Sequence, residues 1–550
     1  MVRNEWFIPL SVAVVGIVTS LLLLYSHDGY ALLYYGDSVS HLVGSRKIVD
    51  WENPGLEQIG TVWLPLPHIL FLVPSLIDPL FTTGLAGTVI SLPSLAFTTL
   101  LIYRVMRDQG SIIHPSTKDH RIAYLLALLY AFNPNMMYLG IVAMTEALFM
   151  LFLVASIYYF QRWLLQGCST RNLLLCSLFI SLATLCRYES WFLPILLIAV
   201  VFTSAVRNRS KDNELQLLPI ITSLLSTTGI AIWLAWNYYI YGDPFEFSNA
   251  EYYSAAWYAI HNQYHERYFM NPLNVFSVYM YNTIHLYGPL LLTGITGGYS
   301  IYHRSAKDRM GVMMIIILLL FLLLPPTFTI VSMLIGVGEM DYAYNSRFTI
   351  LLAPLLFITT FLFLNRLSVY RWYIITPLLL LLVLWNPLFL RLGVVTYIDA
   401  YAGYSTKDTQ LAVDAGEALR SLYDRGRIMI LAGSILEHRI MITSNIALNR
   451  FDEMADHSTW KDSFKSPWLY DRWLIISKRP VHDATNVITH WLEREEELLM
   501  HYKVVYENEN YKIMRLIVLV TINEYYSNNS NSSSSNRQES LFYNAPTYPR

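Results

Sequence analysis

Apolar stretches of roughly 17 to 25 residues, each long enough to cross about 30 Å of hydrocarbon, recur along most of this chain. They fall at about 7 to 25, 80 to 104, 121 to 140, 143 to 163, 172 to 187, 189 to 206, 217 to 240, 277 to 302, 310 to 335, 347 to 365 and 372 to 391. A water-soluble core needs nothing of this kind. The expected fold class is therefore an α-helical polytopic membrane protein with about eleven transmembrane helices and a small C-terminal α/β domain. Composition agrees, since 54% of residues are hydrophobic and only 14% are charged, against roughly a quarter charged in soluble domains. The segment WLPLPHILFLVPSLI at 63 to 77 is short and interrupted by prolines. It reads as a re-entrant or interfacial segment, with a twelfth span as the alternative. SHDGYA after the first apolar run is a poor cleavage site, so that run is expected to stay as a retained helix rather than leave as a signal peptide.

Basic residues collect in alternate loops, as they do on the cytoplasmic side of membranes. Arg104, Arg107, Lys118 and Arg121 share one loop, Arg162 and Arg171 a second, Arg207, Arg209 and Lys211 a third, Arg304, Lys307 and Arg309 a fourth, and Arg366 and Arg371 a fifth. With an odd number of spans this places the N-terminus in the cytoplasm and puts loops 26–79, 241–276 and 336–346 outside, together with everything after 391. The domain organisation expected is a transmembrane part at 1–391, an extracytoplasmic α/β domain at 392–522, and a disordered tail at 523–550. In that domain RIMILAGS and DRWLIISK read as buried strands, DATNVITHWLEREEELLMHY as an amphipathic helix, and KVVYENENYKIMRL as a hairpin. Asn528 and Asn531 head N-x-S sequons in the tail. No retention signal ends the sequence, and a prokaryotic plasma membrane is the location expected for this multi-pass chain.

A formal net charge of −2 and the lack of any long Lys/Arg tract argue against nucleic acid as a partner. Cys168, Cys176 and Cys186 lie close together without a metal spacing, which argues against a disulfide framework.

The first outer loop, YYGDSVSHLVGSRKIVDWENPGLEQIGTVWLPLPH, is the leading active-site candidate because it is polar and patterned directly after a span. Spacings of four and nine place Asp37, His41 and Arg46 on related faces of a short helix. The structural alternative is a solvated interfacial helix. Asp37 is the candidate general base; His41 would tune it or hold a divalent metal with Glu146 or His68.

Charges at the rims of spans are costly and mark function. Glu146 in AMTEALF, Arg187 and Glu189 in CRYES and Arg347 in YNSRFTILLAP are all expected near the outer rim. Two arginines on one side suit an anionic headgroup such as a polyprenyl phosphate, because the guanidinium fork matches phosphate oxygens. The alternative is that Arg187 forms a structural bridge with Glu146 or Glu189 and that Arg347 snorkels. The second outer loop carries Asp243, Glu246, His261, His265 and Glu266 among many aromatic residues. It suits a sugar and equally an interfacial aromatic belt. HNQYH lacks the glutamate of an H-E-x-x-H zinc helix, which excludes that class of protease.

This pattern resembles the C superfamily of glycosyltransferases (GT-C), and within it the protein O-mannosyltransferase and lipid A aminoarabinose transferase branch. The resemblance covers residues 1 to 391 by architecture. It rests on Asp37 followed by WLPLPH before the second span, on SRFTILLAP as the counterpart of an R-Y-x-x-P run, and on CRYES at the outer end of a middle span. It departs in having a single acid at 37, flanked by Gly36 and Ser38, where relatives often have a pair; and no WWDYG-type motif occurs, which argues against an oligosaccharyltransferase.

The resemblance implies a glycosyltransferase that moves a sugar, mannose being one candidate, from a polyprenyl-phosphate carrier to a protein, lipid or glycan acceptor outside the membrane. Inversion with Asp37 as base would require no cofactor, a divalent metal being left open. His41, Arg46, His68, Glu146, Arg187, Glu189 and Arg347 are the expected substrate-binding residues. Membrane lipids are the remaining partner. A transporter or flippase of lipid-linked substrates is the competing class, and a receptor-like membrane protein a third.

Overall fold

Leucine, methionine and alanine lose little freedom in a helix, and in lipid every backbone polar group must be satisfied within its own segment. The long apolar runs therefore become helices. The structure, a computed structural model, describes residues 4–26, 28–113, 120–166, 169–207, 213–249, 273, 280, 283–284, 286–304, 346–367, 372–389, 396–430, 435–453, 460–478, 491 and 493–517. The expected span at 310 to 335, the residues His261, His265, Glu266 and Cys168, and the tail with Asn528 and Asn531 lie outside them.

In chain order come α1 (Phe7–Ser26), α2 (Gly36–Lys47), α3 (Pro65–Ser75), α4 (Asp78–Thr83), α5 (Leu85–Ile113), α6 (Arg121–Phe132), α7 (Pro134–Leu139), α8 (Thr145–Leu165), α9 (Thr170–Thr184), α10 (Leu193–Arg207) and α11 (Asn213–Tyr241). Further apolar helices follow at Pro289–Arg304, Ala353–Leu367 and Trp372–Phe389. Among the described residues five segments are long and apolar enough to cross a membrane, namely Phe7–Tyr25, Leu85–Gly110, Thr145–Leu165, Tyr188–Ala205 and Leu217–Tyr241. Shorter apolar helices lie at Pro65–Ser75, Arg121–Phe132, Thr170–Thr184, Thr349–Asn365 and Thr376–Trp385. The chain is thus a multi-pass membrane protein.

Two expected helices are broken, for visible reasons. The run from 80 splits at Gly84, whose φ of +80° ends α4. The run from 121 to 140 splits before Pro134, where Asn133 caps α7 by accepting from the Asn135 N–H.

The chain forms two compact units, Met1–Leu422 with Ser434–Asn449, and Tyr423–Gly433 with Arg450–Arg550. In the first, α5 packs against α1, α6, α8 and the Ala353–Leu367 helix. One continuous core runs through Leu92, Leu100, Val105, Tyr130, Phe149, Val154 and Leu356. Hydroxyls on α5 tie down the turn that precedes α8: Thr88 donates to the Ile141 carbonyl at 2.6 Å and Ser91 to the Val142 carbonyl at 2.7 Å. Such interhelical bonds satisfy carbonyls that a helix end leaves open. Helices Thr396–Tyr404, Lys407–Leu422 and Ile435–Ser444 belong to this unit.

The second unit holds a five-stranded sheet in the order β2-β1-β3-β5-β4, with β1 (Ile428–Ile430), β2 (Phe451–Glu453), β3 (Trp473–Ser477), β4 (Tyr502–Glu507) and β5 (Tyr511–Leu516). β1 is parallel to both neighbours, and the β4–β5 hairpin is antiparallel, as is β5 to β3. β1 and β3 are buried along their whole length, which explains their unbroken apolar sequences. Met429, Leu474, Ile476, Trp491, Leu498, Tyr502 and Met514 form its core. β2 was not expected, because three residues reading Phe-Asp-Glu carry no alternation; of the expected amphipathic helix, Glu495–His501 lies among the described residues.

Candidate active site

Four chain segments of the first unit bring five charged side chains together. Asp37 sits in the first turn of α2, where the helix dipole favours a carboxylate. Arg347 enters from the 3-10 helix Ser346–Leu352 and donates from Nη2 to Asp37 Oδ2 at 2.6 Å. Glu146 opens α8 and is only 1% exposed. Arg187, in extended backbone between α9 and the 3-10 helix Tyr188–Phe192, donates to Glu146 Oε1 at 2.9 Å, to the Thr145 hydroxyl at 3.0 Å and to Glu189 Oε1 at 2.7 Å. Arg347 Nε lies 3.9 Å from the same Glu146 oxygen. One buried carboxylate therefore stands between two guanidinium groups, with Asp37 and Glu189 on their far sides.

Accessibility separates the acids. The Asp37 side chain is 27% exposed and Glu189 18%, while Glu146 is sealed. Both arginines are nearly enclosed, at 11% and 12%. Burial would raise the pKa of Asp37, but the Arg347 guanidinium, assisted by Arg187, holds it below the ordinary carboxylate value. Asp37 is ionised at neutral pH and is the acid of this group most open to an incoming molecule. Three carboxylates facing two arginines make a poor anion site unless one carboxylate gives way, and Asp37 is held by only one of the two arginines.

His41 and His68 meet beside this group. His41 Nδ1 lies 3.0 Å from His68 Nε2, His68 Nδ1 lies 3.3 Å from the Leu64 carbonyl oxygen, and the Trp63 ring covers His41 with centroids 4.5 Å apart. Burial pushes the His41 imidazole well below its ordinary pKa, and His68 and the nearby arginines act in the same direction against Asp37. Arg46 is engaged elsewhere: Asp50 at 2.8 Å, Asp78 at 2.7 Å and the Ser75 carbonyl at 3.4 Å take its donors, with Phe81 under its plane at 4.7 Å. It ties the end of α2 to α3 and α4. Among the described residues no group of three or more His, Cys, Asp or Glu is placed to hold a metal ion.

Several residues of the site carry no sequence signal. Tyr35 lies under Arg347, 5.4 Å from ring centroid to guanidinium carbon, and its single hydroxyl proton is shared between the Thr396 carbonyl at 2.9 Å and Asp399 at 3.1 Å. The Ile435–Ser444 helix braces α2: Arg439 donates to the carbonyls of Leu33 and Tyr34 at 3.0 and 3.4 Å, and His438 Nδ1 pairs with the Ser40 hydroxyl at 3.0 Å. Gly36 permits the approach, since a Cβ there would lie 2.6 Å from the Ile435 side chain. Pairings across some 400 residues leave no local pattern to read.

The chain shares its fold with a solved structure: it is similar over 92% of its length to 98% of the crystal structure of ArnT from Cupriavidus metallidurans bound to undecaprenyl phosphate, with 14% identity and a TM-score of 0.52. Residues 80–236 match the family model described as dolichyl-phosphate-mannose-protein mannosyltransferase. A lower likeness, at 12% identity and a TM-score of 0.45, covers 92% of this chain and 73% of the Archaeoglobus fulgidus oligosaccharyltransferase tethered with an acceptor peptide. No curated protein sequence matches the chain. The resemblance drawn from Asp37, WLPLPH, CRYES and SRFTILLAP is borne out at the level of the superfamily.

Proposed function

We propose that this protein is a glycosyltransferase that moves a sugar from a polyprenyl-phosphate carrier to a hydroxyl-bearing acceptor outside the membrane, with inversion. The observation that carries the proposal is the Arg347–Asp37 pair at 2.6 Å, in which the most exposed carboxylate of the site is held by a nearly buried arginine. Supporting it are the mannosyltransferase model over 80–236 and the fold shared with an undecaprenyl-phosphate-bound enzyme.

In the reaction the acceptor oxygen forms a bond to the anomeric carbon as the bond from that carbon to the phosphate oxygen breaks. The electron pair leaves with the polyprenyl phosphate, and the acceptor proton passes to Asp37. Arg347 and Arg187 stabilise the growing negative charge on the phosphate. A phosphate that draws Arg347 toward itself loosens its hold on Asp37, so carrier binding makes the carboxylate a stronger base where the acceptor arrives. Glu146 keeps both arginines in place, and Glu189 steadies Arg187. The proposed orientation puts the N-terminus in the cytoplasm and the site on the outer face.

The test is incubation of membranes containing the protein with a panel of radiolabelled polyprenyl-phosphate sugars. Release of free polyprenyl phosphate with label bonded to an acceptor supports the proposal. Labelled carrier that crosses the membrane intact, with no new glycosidic bond, would replace it with a flippase.

A further inference from the structure

The histidine pair has a direction that its hydrogen bonds fix. The Leu64 carbonyl can only accept, so His68 Nδ1 bears the proton of that 3.3 Å contact. Neutral His68 then has a bare Nε2, and the 3.0 Å bond to His41 must be donated by His41 Nδ1. Neutrality suits the place, since His41 and His68 are 3% and 1% exposed and an isolated buried imidazolium is costly. His41 is left with its proton on Nδ1 and a lone pair on Nε2.

Asp37 lies one helical turn before His41 on the same face of α2, where side chains four residues apart are neighbours at about 5–6 Å between Cβ atoms. No hydrogen bond joins the two among the described residues. A carboxylate and a lone-pair nitrogen have no proton to share. Once Asp37 has taken the acceptor proton they do.

We infer that His68 locks His41 in the Nδ1–H tautomer, so that His41 Nε2 accepts a hydrogen bond from Asp37 only after Asp37 is protonated, making His41 and His68 positioning residues for the base. The inference rests on the transferase reading above for its consequence but not for the tautomer. Its sign matters. An Nε2–H tautomer would donate to the ionised carboxylate and weaken it as a base, whereas the locked tautomer stabilises only the state in which the proton has moved, which is what accelerates a reaction. The lock thereby offsets part of the basicity that Arg347 takes from Asp37.

The experiment is nitrogen NMR of the full chain in detergent with 15N-labelled histidine, the His41 signals being assigned by their loss in His41→Gln. It is run on wild type and on His68→Phe, alongside transfer kinetics. The expected result is an unprotonated Nε2 on wild-type His41, a shift to Nε2–H in His68→Phe, and a roughly tenfold fall in kcat at unchanged KM for the donor, about the size of one net hydrogen bond between neutral groups. A proton on Nε2 of wild-type His41 overturns the inference without any enzyme assay. A switched tautomer with unchanged kcat overturns its catalytic part. The expected wild-type tautomer in a protein that transfers no sugar from any carrier leaves the lock standing and refutes the transferase reading.

Discussion

Arg347 Nη2 and Asp37 Oδ2 lie 2.6 Å apart although 310 residues separate them in the chain. The pair joins the first turn of α2 to the 3-10 helix that leads into the Ala353–Leu367 helix. It gives one arginine two partners in succession, a carboxylate at rest and a phosphate during transfer. Asp37→Asn keeps the size of the side chain but removes its capacity to take a proton. Donor binding is expected to persist and transfer to fall by 100-fold or more, in line with roughly 10²–10⁴ for a general base; Asp37→Glu is expected to recover part of it. Donor affinity and transfer rate, measured on the same preparation, check both statements.

Replacing either arginine separates a charge-stabilising role from a structural one. Arg347→Met and Arg187→Met are each expected to cost about 2–4 kcal/mol of transition-state stabilisation, the magnitude for a donor that faces developing charge. Arg46→Met removes a cation whose partners are Asp50, Asp78 and a backbone carbonyl. It is expected to lower thermal stability by about 1–3 kcal/mol, the cost of leaving polar partners unpaired, with KM for the donor unchanged. A melting curve and a donor titration for the three variants distinguish the groups.

The pH profile reads the same pair. Asp37 has a pKa below its ordinary value, so its contribution to folding is present above the unfolded pKa of about 3.9 and disappears as pH falls through the lower folded value. Activity that needs ionised Asp37 is then flat down to that ordinary range and fails only below it. In Arg347→Met the burial that raises the Asp37 pKa is no longer opposed by its main partner. The acidic limb of residual activity is expected to move to higher pH, and a limb that stays where it was contradicts the assignment of Asp37 as the titrating group.

Much of the fold can be read in the sequence because the bilayer permits so little else. Length and apolarity mark the helices, but not the breaks at Pro134 and Gly84, since proline also sits inside unbroken helices at Pro93 and Pro219. The charges also stand out, since Glu146, Arg187 and Arg347 interrupt apolar runs. The bridge from Arg187 to Glu146 and Glu189 is legible as well, but the partner of Arg347 is not. Nothing local couples Asp37 to Arg347, or Tyr35 to Asp399, and Arg46 shares a helix face with catalytic candidates yet is satisfied by α4 and its own helix end. β2 is illegible for a different reason: a three-residue strand is too short to show a period.

The brace on α2 supplies a further prediction. Arg439 is 2% exposed and holds the carbonyls of Leu33 and Tyr34 just before the turn that carries Asp37. Burial lowers its pKa to about 10, which leaves it charged at neutral pH. Arg439→Met is expected to cut kcat about tenfold or more by displacing Asp37, since a misplacement of about 1 Å can cost about 100-fold. Arg439→Lys, which keeps a donor for at least one carbonyl, is expected to recover part of the loss. Equal loss in both variants with unaltered KM would show that the guanidinium geometry itself is needed.

The most direct measurement is transfer of radiolabelled sugar from polyprenyl-phosphate donors in membranes, comparing wild type with Asp37→Asn at matched expression and matched donor binding. The account predicts labelled acceptor and released polyprenyl phosphate with the wild type, and neither with the variant. Transfer by Asp37→Asn at the wild-type rate would contradict it.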